Sequence, residues 1–96
     1  MYELEIQEEA NLEILETYIY YENIQTGLGE RFLKQIEIYL VKIRDNPKHF
    51  QIKGIRYREA YIYKFPYLII FDIVDDKIII LSVFNTHQNP TKSLKL

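Results

Sequence analysis

Two stretches of the chain group residues whose types could do chemistry. One is Asn85-Thr86-His87-Gln88, which closes a long apolar run. The other is a set of cations before that run, Lys53, Arg56, Arg58 and Lys64. An imidazole with a reference pKa near ~6.5 is available for proton transfer at neutral pH, and His87 is the candidate. Asn85 and Gln88 supply amide donors and acceptors without charge. Arg56, Arg58 and Lys64 fall on one parity of a strand-like stretch, so together they suit phosphate or the acidic groups of a partner. The competing use of such charges is to keep an edge strand from pairing with other sheets. His49 and His87 are too few and too far apart for a metal site, and without cysteine there is neither a thiolate zinc site nor a disulfide scaffold.

Composition bounds the rest. Ninety-six residues, 48% hydrophobic and 27% charged, make one folded domain, 1–96, with a modest core. No apolar run reaches the ~20 residues of a membrane span, and the acidic start is unlike a signal peptide, so a cytoplasmic location is expected. The net charge of −2 hides an asymmetry: residues 1–30 hold eight Glu and no Lys or Arg, whereas Lys48 to Lys64 hold five basic residues and one acid. A local basic stretch suggests an anionic partner, although the chain as a whole is not basic.

The elements that must position these groups follow from periodicity. Met1 to Gln7 alternates Tyr2, Leu4 and Ile6 with polar residues, as a half-buried strand does. Glu8 to Gln25 reads as a helix whose apolar face is Leu12, Leu15, Tyr18 and Ile19, widened by Ile14 and Tyr21. Thr26-Gly27-Leu28-Gly29 breaks it. Leu28 to Asp45 is a second helix, with Phe32, Leu33, Ile36, Leu40 and Ile43 on one face, stopped by Asn46-Pro47. The short link implies an antiparallel helical hairpin. His49 to Gly54 reads as loop, Ile55 to Lys64 as a strand, and Tyr67 to Val74 with Lys77 to Asn85 as a β-hairpin turning on Asp75-Asp76. The fold class is α+β, in the order β-α-α-β-β-β: a twisted antiparallel sheet with the helical hairpin packed on one face.

That architecture poses a covering problem. The last two strands are apolar on both faces, with Leu68, Ile70, Ile78 and Ile80 on one parity and Ile69, Phe71, Ile79, Leu81 and Val83 on the other. Two helices cover one face only. Either strong twist closes a small second core, or another chain covers the remaining face.

The order and spacing of GLGERF (Gly27 to Phe32), Asn46-Pro47, KFPY (Lys64 to Tyr67) and the closing strand with Asn89-Pro90 resemble the RelE/ParE toxins of type II toxin–antitoxin modules, in their ParE-like, plasmid stabilisation branch. The resemblance runs from Tyr2 to Pro90. It implies the same β-α-α-β-β-β fold, no cofactor, and a cognate antitoxin that masks the active surface; Leu68, Ile70, Ile78 and Ile80 are then the antitoxin-facing residues. It also implies a macromolecular target that a member of this branch inhibits by binding, DNA gyrase, contacted through Arg56, Arg58, Lys64, Asn85 and Gln88. The alternatives are a metal-independent, ribosome-dependent mRNA endoribonuclease using His87, Arg58 and Lys53, or an inactive binding module. Many ParE-like sequences end the last strand with His and, three residues on, Arg; here Asn85 and Gln88 stand at those positions, which favours binding over cleavage. A homodimer in the antitoxin's absence is a further expectation.

Overall fold

The structure is a computed structural model that describes residues 1–87. In chain order it has strand β1 (Glu3–Ile6), helices α1 (Glu8–Ile24) and α2 (Leu28–Asp45), a single 3-10 turn (Pro47–His49), and strands β2 (Gln51–Lys53), β3 (Tyr57–Tyr61), β4 (Tyr67–Val74) and β5 (Lys77–Asn85). The strands form one five-stranded sheet in the order β1-β5-β4-β3-β2. It is mixed rather than wholly antiparallel, because β1 lies parallel to β5, with Leu4 opposite Ile78 and Ile6 opposite Ile80. The helical hairpin supplies the crossover that a parallel pair needs. A short strand, β2, occupies part of the stretch expected to be loop.

Both helices pack on one face of the sheet. Phe32, Ile36 and Ile43 of α2 meet Ala60, Ile69, Phe71, Ile78, Ile80 and Val83 in the main core. Each large side chain removed from water there contributes about 1.5–3 kcal/mol before the entropy of ordering it is subtracted. Tyr21, Phe32, Phe65 and Tyr67 add a cluster of tilted and edge-on rings with centroids 5.2–6.2 Å apart.

The inward face of α1 is not the one its apolar periodicity predicts. Ala10, Ile14, Thr17 and Tyr21 pack against the sheet, while Leu12, Leu15 and Ile19 point outward, 51%, 52% and 48% exposed. Small residues win the inner position because Ala10 and Thr17 let the helix sit close to β5.

The helices approach most closely at Gly29. A methyl group built on it would lie 2.6 Å from the Tyr18 carbonyl oxygen and 2.6 Å from Glu22 Cγ. Glu22 stays near because its carboxylate accepts hydrogen bonds from the amides of Gly27 (3.0 Å) and Glu30 (3.2 Å). It thereby caps α2, whose own N-cap, Gly27, has φ 91° and no side chain to do so. Gly29→Ala is expected to lower unfolding free energy by about 1–3 kcal/mol in urea titrations, the usual cost of overpacking. An unchanged midpoint would mean that the hairpin is looser than described.

Candidate functional site

The rear face of the sheet, opposite the helices, is sorted differently from the parity grouping in the sequence. Phe71 pairs with Ile80 and Ile73 with Ile78, so Ile78 and Ile80 lie under the helices, fully buried. They are removed from the set expected to face an antitoxin. Leu68 and Ile70 do lie on the rear face, beside Phe84, with Tyr57 and Leu81 packed against them. A register irregularity at Ile70/Phe71 leaves Leu81 as the extra residue of β5 and brings Phe84 to the same side. Leu68 and Ile70 are only 3% and 2% exposed, so this face closes as a small second core.

The cations do not form one row either. Arg56 lies in the turn before β3, and its guanidinium pairs with the carboxylate of Asp72, a buried β4 residue on the rear face. That hydrogen bond and the adjacent negative charge hold Arg56 ionised still more firmly than usual. Arg58 sits opposite Phe71, hence on the helix side, and donates to the Phe50 carbonyl at 2.7 Å. It fastens the segment that leads into β2. Lys64 occupies the β3–β4 turn at φ 70°, its ammonium 5.5 Å from the Tyr63 ring centroid. Lys53 closes β2 in full exposure. Tyr61 and Tyr63 are 59% and 64% exposed.

The end of β5 lies elsewhere. Asn85 is opposite Tyr67, and its side-chain oxygen accepts the His87 amide at 2.8 Å. Thr86 donates its amide to the Pro66 carbonyl at 2.7 Å. His87 is exposed, and Gln88 lies outside the described residues. Between Asn85 and Arg58 there are four residues along β4 and two strand spacings across the sheet. Their Cα atoms are therefore about 16 Å apart, from about 13 Å along and about 10 Å across. Lys53 is one strand further still. The proposed base and cations are not brought together.

What the end of β5 does have is an open edge, because β1 stops at Ile6. A cleft of about 310 Å³ lies there between α1 and the sheet, lined by Glu13, Thr17 and Tyr20 with Tyr67, Val83 and Asn85. Glu13 takes the edge's free donors: its carboxylate oxygen accepts from Ser82 Oγ and from the Val83 amide, both at 2.9 Å. Desolvation raises the Glu13 pKa, and Glu9 and Glu16 raise it further, against those two bonds, which favour the charge. Nearby, burial and the neighbouring Tyr67 push the Tyr21 hydroxyl up to about 12. Sequence reasoning missed Glu13, because the periodicity placed the inward face on Leu12, Leu15, Tyr18 and Ile19 and so left Glu13 off the sheet side.

A family model described as ParE toxin of type II toxin-antitoxin system, parDE, matches residues 4–90. The chain belongs to the ParE toxin family. Its fold also matches a solved structure titled chromosomal ParDE TA system from P. aeruginosa, with a TM-score of 0.69 and 15% identity over 88% of this chain and 96% of that one. At that identity the likeness is one of fold. No curated protein matches the sequence. The family match spans β1 to the end of β5, so the Glu13 cleft and the Arg56–Asp72 pair both belong to the ParE-type domain. Among the described residues no helix is long and apolar enough to cross a membrane, and no acidic or His cluster is arranged for a metal ion.

Glu13 sets a pH dependence. Its folded pKa lies above its unfolded one, so its contribution is present below the unfolded value and is lost as pH rises through the folded one. Glu13→Gln keeps an oxygen acceptor and removes the charge. Relative to wild type, the variant is expected to gain thermal stability between pH 4.5, the ordinary Glu value, and neutrality. A relative loss over that window would show the two hydrogen bonds outweighing burial.

Proposed function

We propose that this ParE-family chain is a toxin that acts by binding a macromolecular target, DNA gyrase being the target its family implies, and that a cognate antitoxin neutralises it. One observation carries the preference for binding over cutting. The groups that would have to share a scissile phosphate lie apart, His87 beyond the end of β5, Arg58 on β3 and Lys53 on β2, and Arg58 is committed to the Phe50 carbonyl. Cleavage through a ribose 2′-hydroxyl needs a base, a donor for the leaving oxygen and a cation within one site. A binding toxin has no such requirement.

Expression without the antitoxin is expected to arrest growth, and the purified protein to inhibit gyrase supercoiling while leaving mRNA on translating ribosomes intact. Loss of a general acid or base costs a nuclease about 10²–10⁴-fold in rate. His87→Ala is expected to leave both growth arrest and gyrase inhibition unchanged. Ribosome-dependent mRNA cleavage abolished by His87→Ala would replace this reading with the endoribonuclease one.

A further inference from the structure

Among the described residues, the outer face of α1 is left partly uncovered. Leu12, Leu15 and Ile19 follow one another at helical spacing and are each about half exposed. Tyr20 and Ile24 extend the apolar surface toward the β5 cleft, both 58% exposed. A stripe of exposed aliphatic residues such as Leu12, Leu15 and Ile19 on a small domain suits docking. The charge around it has one sign on this helix: Glu8, Glu9, Glu13, Glu16 and Glu22, with no Lys or Arg. Glu13 and Glu22 are engaged with β5 and the start of α2. Glu8 heads the stripe at i−4 from Leu12, and Glu16 flanks it between Leu12 and Ile19; both are exposed. Neighbouring α2 adds both signs, with Arg31 and Lys34 against Glu30 and Glu37.

We infer that this face of α1 is a docking surface for a cationic amphipathic helix, whose apolar side covers Leu12, Leu15 and Ile19 and whose Lys or Arg residues meet Glu8 and Glu16. Identifying that helix with part of the neutralising antitoxin rests on the function proposed above. A helix laid on a helix reads such i, i+3, i+7 anchors, and opposite charges at the rim fix its orientation and speed its arrival. A second copy of this chain fits poorly. A two-fold contact sets the same patch against itself, and here that brings Glu8, Glu9 and Glu16 against their own kind.

The test uses the full chain and two synthetic helical peptides with the same leucine face, one with lysines opposite and one with glutamates. Fluorescence anisotropy is expected to show binding of the lysine peptide, weakening as salt is raised, and none of its glutamate twin. Leu15→Glu and Ile19→Glu should each weaken binding about tenfold or more, as for an anchor residue at an interface. Glu16→Lys should flatten the salt dependence, and Ile55→Glu, in the distant β2–β3 turn, should change nothing. Circular dichroism of each variant confirms that α1 is intact. Equal binding of both peptides, indifference to Leu15→Glu and Ile19→Glu, or a dimer in sedimentation that Leu15→Glu dissolves would overturn the inference. In cells, Ile19→Glu should still arrest growth but escape rescue by the co-expressed antitoxin. Absence of growth arrest in wild type would instead count against the toxin function and leave the peptide result standing.

Discussion

β4 and β5 pair along nearly their whole length beneath the helices, and each sends large apolar side chains to both sides of the sheet. Everything else in the fold accommodates that ladder. The helical hairpin must cover one side, where Ile69, Phe71, Ile78, Ile80 and Val83 need partners. The other side must close on itself, which it does through the extra residue Leu81 and the turn of Phe84 toward Leu68 and Ile70. The edge left open where β1 ends is closed not by a strand but by Glu13, which trades burial of a charge for two hydrogen bonds.

One consequence falls on α1. To sit against β5 it turns Ala10 and Thr17 inward, and Leu12, Leu15 and Ile19 are left about half exposed. The rear of the sheet closes around Leu68, Ile70 and Phe84, and the exposed aliphatic stripe of α1 lies on the opposite side of the molecule. Two of the singled-out cations have structural employment: Arg56 neutralises Asp72, and Arg58 ties down Phe50.

Much of this was legible in the sequence. The β-hairpin bounded by Tyr67, Val74, Lys77 and Asn85 and the second helix from Leu28 to Asp45 appear with the bounds their periodicity predicts, because each has a strong period and a clear stop. The family motifs point to the fold that the family match and the solved ParDE structure bear out. Faces were harder than elements. α1 scatters its apolar residues over more than one face, among five Glu, so periodicity could not say which stripe turns in, and the richer one lay outside. Pairing Ile78 and Ile80 with Leu68 and Ile70 ignored the turn: two residues at Asp75-Asp76 put Phe71 opposite Ile80 before any irregularity begins. The irregularity at Leu81, which frees Phe84 to turn, leaves no mark in an unbroken run of Ile, Leu and Val. Arg58 was misplaced because the partner of a guanidinium, here a backbone carbonyl eight residues back, is invisible to pattern.

The exposed aliphatic stripe of α1 and the closed rear face differ in how far their apolar surface meets water. Methyl NMR with a soluble paramagnetic agent tests it residue by residue. The methyls of Leu12, Leu15 and Ile19 should broaden strongly, while those of Leu68 and Ile70 stay sharp. Comparable broadening of Leu68 and Ile70 would mean that the rear face is open, and that the partner surface has been placed on the wrong side of the sheet.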